Sequence, residues 1–540
     1  MLDTALAPSN RLSRRRVLAS LPLTAILLAS TALPFAAHAD ETAPQPAAPQ
    51  PTAAPQKFSF DQLTEEMRTK AQAAYAAPEK VTSFLGTLKY DDYQRIQYDP
   101  DRARWDTPGS FFRVDAFHLG WLFDTPVTLD EVIGGMAQDF VFSTDDFIYH
   151  GDLAARVPKN TALQGVAGFR LRYPLNRADI FDELVAFIGA SYFRALGEGN
   201  TYGLSARGLA INTGLSGTEE FPRFSAFYLE RPEPGAQTVT INATLDSPSV
   251  TGAYRFVITP GENTVMEVTA RLFFRAPVQQ LGIAPLTSMF LYSDTNRAGF
   301  DDYRPQVHDS DGLLIRRADG DTMWRALNNP PHLGSSLFAL TTPQSFGLYQ
   351  RNRNFDDYQD SGAHYETRPS VSVEPIGDWG QGAVRLVEIP SELEVNDNIV
   401  AFWIPAAPVQ AGQELEFRYR LSWGDLRPDG HGERAYVFDT RAGHGGVSGT
   451  KADPGTRKFV IDYKGGILGR MPADATVQPV VTVSNGKIVT QTLFKIMGSD
   501  IWRLVIDVTA GDSGVVELTA HIAGYGRKLT EIWLYQWMKD

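Results

Sequence analysis

The sequence of 540 residues contains no cysteine. Disulfides, thiolate nucleophiles and cysteine metal sites are therefore excluded, and stability must come from packed cores. Long apolar runs are also scarce, because no other run in the sequence is as long as the one from Leu18 to Phe35. A protein with several membrane-spanning helices is thereby excluded.

Acidic side chains outnumber basic ones in the chain that follows the N-terminal segment. The first 39 residues hold four arginines and one aspartate, so 46 basic and 62 acidic side chains remain, with a formal charge of −16. A protein that binds phosphates needs a basic stripe, and the basic cluster of this chain lies in that N-terminal segment. We therefore expect no nucleic-acid partner, and a neutral ligand fits better than a polyanion.

The N-terminal segment has the features of an export leader. Twin arginines within Ser13 to Leu18 precede the apolar run, which is typical of the bacterial Tat route. The small-residue triplet AHA at 37–39 predicts cleavage after Ala39. An uncleaved anchor is the alternative, but it needs about 20 apolar residues, and this run is marginal. The sequence predicts a signal peptide over 1–39 and a periplasmic location.

A tether and a short helix follow the leader. Residues 40–56 consist almost entirely of Ala, Pro, Gln, Thr and acidic residues, which predicts an extended tether. Ser59 and Gln62 have the spacing of a capping box. Leu63 and Met67 then recur on one helical face, so we expect a helix to begin here.

Strand periodicity dominates the rest of the chain. Apolar and polar residues alternate over 238–245, which predicts a strand with one buried face. Two further runs, 254–258 and 266–272, are separated by the turn sequence PGEN at 260–263 and predict a hairpin. Regular strands joined by turns favour sheets packed on sheets.

A crowded stretch of Gly, Pro and charged residues over 424–434 predicts a connector between two domains. We predict a β-sandwich over 57–423 and a smaller immunoglobulin-like β-sandwich over 435–540. Within the latter, alternation predicts strands over 502–508 and 516–522, and Asn485-Gly486 predicts a hairpin turn. The predicted fold class is all-β.

Several reaction classes lack their motifs. Residues 203–207 read GLSAR and lack the last glycine of a nucleophile elbow. Walker A, dinucleotide, H-E-x-x-H and EF-hand sequences are missing, and the nine histidines are scattered. We expect neither a metal nor another cofactor.

Acid-rich loops and aromatic side chains remain as candidates. Glycoside cleavage needs a carboxylic acid for the leaving oxygen and a second carboxylate for water or attack, while sugar rings stack on Trp and Tyr. The densest acidic segments are 307–312, 355–360 and 392–398. Each is equally typical of a solvated turn, and aromatic residues more often pack in cores, so spacing alone leaves both interpretations open.

Six runs closely resemble the periplasmic glucan biosynthesis family OpgG/OpgD, also called MdoG/MdoD. They are IGASYFRA at 188–195, YGLSARGLAI at 202–211, LGIAPLTSMF at 281–290, HDSD at 308–311, LNNP at 327–330 and DNIV at 397–400. The resemblance extends to EIWLYQW at 531–537. A Tat leader is typical of the D member of the family, which favours the D type.

The resemblance implies a galactose mutarotase-like sandwich followed by the immunoglobulin-like one, and work on osmoregulated periplasmic glucans. Members act as inverting endo-β-1,2-glucanases, and some relatives transfer the glycosyl group instead. By this match Asp397 is the general acid and Asp309 belongs to the base side, acting directly or through a relay. Glu394, three residues before Asp397, is a supporting candidate whose like charge would raise the pKa of Asp397. Asp311 is a candidate for supporting Asp309, or it closes an Asx turn. The segments that match the family also supply substrate-binding candidates: Trp324, Arg351, Arg353, Tyr358, Tyr365 and Arg368.

A second hypothesis comes from a different class of protein. A non-catalytic protein could bind β-1,2-glucan and guide nascent chains beside a membrane glucosyltransferase. Asp397 would then do no more than cap a turn before a core strand. The sequence does not define the oligomeric state, and a dimer is possible.

Overall fold

The computed structural model of the chain describes residues 54–446, 449 and 453–539. The export leader predicted over 1–39 and the tether up to residue 53 lie outside the described residues. In the part of the chain that is described, no helix has the length and apolar character needed to cross a membrane.

Helices are few and short among the described residues. The α-helices are α1 (Phe60–Ala71), α2 (Tyr90–Tyr93), α3 (Leu153–Arg156) and α4 (Gly466–Arg470). Single 3-10 turns occupy Phe84–Thr87, Pro100–Arg102, Thr144–Asp146, Arg297–Gly299, Phe355–Asp357 and Tyr365–Thr367.

Strands make up most of the ordered backbone. The first half of the chain contains β1 (Gln56–Lys57), β2 (Ile96–Tyr98), β3 (Arg113–Phe117), β4 (Thr128–Ile133), β5 (Met136–Asp139), β6 (Phe147–Tyr149), β7 (Gly168–Arg177), β8 (Ile180–Ile188), β9 (Tyr192–Ala195), β10 (Ser205–Arg207), β11 (Ala210–Ile211), β12 (Arg223–Glu230), β13 (Val239–Asp246), β14 (Val250–Thr259) and β15 (Thr264–Phe274).

The second half continues the pattern. It contains β16 (Leu281–Ser288), β17 (Phe290–Tyr292), β18 (Val307–His308), β19 (Gly312–Arg316), β20 (Thr322–Ala326), β21 (Gly334–Thr341), β22 (Ser345–Tyr349), β23 (Ser370–Pro375), β24 (Gln381–Glu388), β25 (Ile399–Pro405), β26 (Glu414–Gly424), β27 (Tyr436–Gly445), β28 (Asp453–Lys464), β29 (Gln478–Ser484), β30 (Gly486–Lys495), β31 (Ile501–Ala510), β32 (Val515–Gly524), β33 (Arg527–Lys528) and β34 (Ile532–Met538).

Helix α1 begins where the capping pattern predicts. The Ser59 hydroxyl accepts a hydrogen bond from the Gln62 backbone N–H at 3.1 Å. Leu63 and Met67 then pack into a cluster with Phe273, on the outer face of the large sheet. The predicted helix is confirmed, and its apolar face explains why it docks on that sheet.

The predicted hairpin is confirmed as the antiparallel pair of β14 and β15, whose register runs from Val250 opposite Phe274 to Thr259 opposite Val265. Both strands lie within a 16-stranded sheet with the order β1-β5-β4-β12-β13-β14-β15-β26-β23-β22-β19-β20-β34-β32-β29, and β33 pairs with β32. A 10-stranded sheet has the order β21-β24-β25-β16-β10-β9-β8-β7-β3, and β11 pairs with β16.

These two sheets pack face to face. The Phe187 ring on β8 lies 5.2 Å from the ring of Phe227 on β12 and 5.2 Å from that of Phe256 on β14. The three rings belong to one large core cluster that takes apolar residues from both sheets. The all-β, sandwich-type fold expected from the strand pattern is therefore confirmed.

A second sandwich occupies the C-terminal part of the chain. Strands β27-β28-β31-β30 form one of its sheets, and β34, β32 and β29 form the other. Phe459 lies 5.8 Å from Trp533 across this core. Strand β34 also pairs in parallel with β20, with Trp533 opposite Trp324, so one sheet runs through both sandwiches. The division at 424–434 stays a prediction; β26 ends and β27 begins on either side of it.

The hairpin predicted at Asn485-Gly486 is wrong. Strand β29 pairs with β32, whereas β30 pairs with β31 in the opposite sheet. Asn485 has a φ of 59°, and a side chain at Gly486 would come within 2.6 Å of the Thr509 carbonyl oxygen. The dipeptide therefore carries the chain from one sheet to the other, because Asn and Gly tolerate this backbone in any sharp corner.

Candidate active site

The two predicted catalytic aspartates lie in loops that are attached to one short backbone segment, Met289–Phe290, by Asp309 itself and by Asn398, the neighbour of Asp397. The Asp309 N–H donates to the Met289 carbonyl oxygen at 2.8 Å. The Asn398 side chain brackets Phe290, accepting from its N–H at 2.8 Å and donating to its carbonyl oxygen at 2.9 Å. Asp309 directly follows β18, and Asp397 lies two residues before β25. The fold thus brings together two loops that are far apart in sequence.

Asp309 is buried and ion-paired. Its side chain is only 6% exposed, and its carboxylate accepts a charge-assisted hydrogen bond from the Arg368 guanidinium. Burial raises the pKa of Asp309, the Arg368 charge opposes that rise, and the charge of Glu394 adds to it. A carboxylate with a raised pKa and a fixed cationic partner suits the base side of an acid–base pair.

Arg368 is itself held in place on three sides. Its Nε and Nη2 donate to the Ala363 carbonyl oxygen at 3.3 and 3.2 Å. The guanidinium lies 4.1 Å from the centre of the Tyr365 ring. A Cβ at Gly203 would approach the Arg368 Cβ to 2.9 Å, so glycine is needed at this contact. The YGLSARGLAI run therefore packs against the arginine that pairs with Asp309.

Asp311 organises a neighbouring loop. Its carboxylate accepts from the backbone N–H groups of Arg351 and Asn352, the latter at 2.9 Å. His308 Nε2 lies 3.4 Å from the same carboxylate. The imidazole is buried between amide side chains, including Gln350 at 3.0 Å, and burial lowers the pKa of His308. The supporting role of Asp311 toward Asp309 stays a prediction.

Two predicted sugar platforms have no open ring face. Tyr358 and Tyr365 are 0% and 2% exposed, and they pack with Tyr292 in a small cluster beneath the site. The Tyr358 hydroxyl donates to the Asn352 carbonyl oxygen at 3.1 Å. Their roles in sugar stacking stay predictions, and the structure shows both rings supporting the loops that hold Asp309.

Arg353 braces the same loops from within. Its guanidinium donates to the carbonyl oxygens of Glu366 and Asp425 at 3.2 Å each, and to the Ser370 hydroxyl at 3.1 Å. It also donates to the Arg368 carbonyl oxygen. Both terminal nitrogens of Arg353 are thus engaged within the protein, while its buried Nε has no hydrogen-bond partner among the described residues, and glucan binding by Arg353 stays a prediction.

Trp324 and Arg351 lie at the contact between the two sandwiches. The Arg351 guanidinium stacks 3.6 Å from the centre of the Trp324 ring. It also pairs with Glu531 at 2.9 Å and donates to the Val437 carbonyl oxygen at 2.6 Å. Trp324 is 3% exposed within the second core. Their predicted roles in glucan binding remain untested, and these contacts give both side chains a structural task.

Sequence reasoning missed an aromatic and cationic group near Asp397. The Asp397 side chain is half-buried, and its charge contributes to raising the pKa of Tyr192, after burial as the larger cause. The Arg207 guanidinium lies 4.7 Å from the Tyr192 ring centre and pairs with Glu219 at 3.0 Å. Tyr192 and Arg207 belong to the runs at 188–195 and 202–211, so the resemblance contained a signal for them.

Arg304 was also missed. It forms ion pairs with Asp302 at 2.7 Å and with Asp360 and Glu394 at 2.8 Å each. Glu394, expected to act on Asp397 as a like charge, is therefore engaged by a cation. Its influence on Asp397 stays a prediction.

The enclosed space between the sandwiches is too small for a sugar. This cavity of about 30 Å³ is bordered by Asp294, Asp311 and Asp439, and burial raises the pKa of Asp439 to about 7. A volume of that size holds one or two waters. Among residues 54–446, 449 and 453–539, no cluster of three or more acidic or histidine side chains is arranged to hold a metal ion.

Comparisons with known proteins agree with the resemblance. The family model described as "Periplasmic glucan biosynthesis protein, MdoG" matches residues 58–537. A relative from Cereibacter sphaeroides called "Glucans biosynthesis protein G" is 60% identical, over 99% of both chains. One from Shewanella oneidensis called "Probable glucans biosynthesis protein D" is 41% identical, over 98% of this chain and 96% of its own.

Among solved structures, a polysaccharide lyase aligns with 69% of this chain and 44% of its own, at 10% identity and a TM-score of 0.21. That likeness is too weak to support any inference.

The chain belongs to the periplasmic glucan biosynthesis family MdoG. Of the two relatives above, the one with the higher identity carries the G label. The D type favoured by the predicted leader therefore stays a prediction.

Proposed function

We propose that the chain is an inverting endo-β-1,2-glucanase that acts on the backbone of periplasmic glucans. The observation that carries the proposal is the attachment of the Asp309 and Asp397 segments to Met289–Phe290. Inverting glycosidases need two carboxyl groups from the same cleft, one to protonate the leaving oxygen and one to activate water. The family description supports a role in glucan biosynthesis, and the hydrolytic step is our addition.

The environments of the two aspartates suggest their roles. Asp397 is half-buried at a loop end, where it can meet a glycosidic oxygen. Asp309 is buried beside Arg368, so we assign it to the base side and propose that a water or hydroxyl relays the proton to it. Asp397 gives its proton to the leaving oxygen as the C1–O bond breaks. Water attacks C1 from the opposite face and loses its proton toward Asp309, so each cleavage consumes one water.

The central experiment measures new reducing ends released from linear β-1,2-glucan by the chain lacking residues 1–39. Asp397→Asn should lower this rate roughly 10²- to 10⁴-fold, the range that general acid–base groups contribute. Glu392→Gln is the matched control, because Glu392 is an exposed carboxylate in the same loop. We expect the control to retain full activity.

The outcomes separate the competing functions. Undiminished product formation by Asp397→Asn contradicts the assignment of the general acid. Binding of β-1,2-glucan without new reducing ends in the parent chain favours the scaffold hypothesis beside a membrane glucosyltransferase. Cyclic or branched products without a matching rise in reducing ends indicate transglycosylation.

We also propose a route of export for the protein and a test of its oligomeric state. The leader over 1–39 would deliver the protein to the periplasm by Tat, with cleavage after Ala39. N-terminal sequencing of the protein from periplasmic extract tests the cleavage position, and a first residue other than Asp40 contradicts it. Light scattering of the purified protein decides between a monomer and a dimer.

A further inference from the structure

We propose that Arg304 is a positioning residue that latches together the three loops of the candidate active site. The inference rests on the proposed function, which it deepens, and starts from one guanidinium with three carboxylate partners. These are Asp302 at 2.7 Å, Asp360 at 2.8 Å and Glu394 at 2.8 Å. The Arg304 and Asp360 side chains are 14% and 15% exposed, so this pair is partly shielded from solvent screening, whereas Glu394 is 41% exposed.

The three partners come from three different connections between strands. Asp302 and Arg304 lie between β17 and β18, Asp360 lies between β22 and β23, and Glu394 lies between β24 and β25. All three carboxylates meet at the Arg304 guanidinium. A planar guanidinium can serve several carboxylates at once, which an ammonium does with less geometric control.

Through Asp360, Arg304 is connected to Arg368 and so to Asp309, the aspartate on the base side. One oxygen of Asp360 pairs with Arg304, while the other accepts from the N–H groups of Gly362 and Ala363 at 2.9 and 2.8 Å. The Ala363 carbonyl oxygen in turn accepts from Arg368, the partner of Asp309. Asp360 therefore fixes the turn on which the position of Arg368 depends.

Through Glu394, Arg304 is connected to the loop that carries Asp397, the proposed general acid. Glu394 lies three residues before Asp397, in a segment whose side chains are largely exposed from Glu392 to Val395. Leu393 and Val395 add no burial there, since they are 60% and 38% exposed. Asn329 holds the start of this loop, donating to the Ser391 carbonyl oxygen at 2.7 Å, and the ion pair with Arg304 adds an attachment closer to Asp397. Loss of this ion pair would leave the loop that carries Asp397 less well positioned, while both predicted catalytic carboxylates stay in the protein.

Arg304→Gln removes both the positive charge and the planar set of guanidinium donors, while Arg304→Lys keeps the charge but not the planar donors. We expect Arg304→Gln to lower kcat about 10²-fold with a smaller change in KM, because misplacement by about 1 Å costs that much. Arg304→Lys should recover part of the loss. Arg420→Gln is the matched control, since Arg420 also joins two carboxylates, Glu267 and Glu374, on the surface of the large sheet.

Hydrogen exchange tests the latch without relying on activity. In Arg304→Gln, peptides covering 355–368 and 390–397 should exchange faster, while the rest of the chain keeps its protection. Unchanged exchange in these two loops overturns the proposal, and so does faster exchange throughout the chain. If Arg304→Gln does not fold, Arg304→Lys provides a milder form of the comparison, with a smaller rise in exchange confined to the same two loops; exchange equal to the parent's there overturns the proposal.

The two proposals fail in distinguishable ways. A parent chain that releases no reducing ends contradicts the proposed glucanase, while the exchange experiment still decides whether Arg304 holds the loops. An active parent chain with full activity in Arg304→Gln leaves the glucanase intact and overturns the latch.

Discussion

Replacing Arg368 by Met should strongly destabilise the fold, because it strands the carboxylate of Asp309. The two side chains are 11% and 6% exposed, so water cannot replace the lost cation. Removing one partner of a buried pair costs about 3–5 kcal/mol, which exceeds the value of a surface ion pair several-fold. Met preserves most of the apolar stem that lies against Gly203. We expect the free energy of unfolding at pH 8 to fall by that amount.

The loss should depend on pH with a definite sign. Burial already raises the pKa of Asp309, and Arg368 opposes the rise, so its removal raises this pKa further. A carboxyl with a raised pKa in the folded state keeps its proton after the unfolded chain has lost its own, so stability falls as the pH rises. Between the raised pKa and the ordinary pKa of an unfolded aspartate, about 4, stability returns by about 1.4 kcal/mol for each pH unit that the pH falls. The variant should therefore be closer to the parent at pH 5 than at pH 8.

Urea titrations at both pH values provide the measurement. Asp309→Asn combined with Arg368→Met removes both charges and should recover most of the stability lost by Arg368→Met alone, because a neutral pair carries no uncompensated charge. Arg420→Met is the control, and we expect it to cost at most about 1 kcal/mol, as exposed pairs do. A loss under about 1 kcal/mol in Arg368→Met, or equal losses at both pH values, would refute the reasoning.

Two further predictions concern other parts of the molecule. Trp324→Leu should lower the free energy of unfolding by about 3 kcal/mol, because the ring fills the second core. The KM for β-1,2-glucan should stay unchanged. A raised KM in a variant that keeps its full stability contradicts this prediction. Asp130→Asn should stabilise the fold by at least about 1 kcal/mol more at pH 8 than at pH 5, as urea titration can test. Asp130 faces Asp139 across two strands, and burial, followed by the Asp139 charge, raises the pKa of Asp130 to about 7; equal effects at both pH values contradict that account.

Local signals in the sequence predicted local structure well. The Ser59 cap and the turn at 260–263 each act within a few residues, and the structure contains the helix and the hairpin that they predict. Asn485-Gly486 failed for a related reason. The dipeptide specifies a backbone conformation at one corner, but it contains no information about which strand the next run will join.

The candidate site was predictable only in part. Asp309 and Asp397 came from the family resemblance, and the structure adds that Asp309 and Asn398, the neighbour of Asp397, both hydrogen-bond to Met289–Phe290. The partners of Asp309 and Glu394 could not be predicted, because Arg368 and Arg304 approach through long-range packing. No periodicity or spacing in a single sequence encodes such a contact, and any of the chain's many arginines could have filled either position.

The parallel pairing of β20 with β34 has a consequence for the order of folding. The partner of β20 on that side is β34, about 200 residues later in the chain, so this part of the sheet cannot form until β34 has been synthesised. Contacts of such large sequence separation form late and slowly. Deleting β34 should therefore disturb the first sandwich as well as the second. The two sandwiches are therefore coupled in folding: the first gains the neighbour of β20 only when a strand of the second is in place.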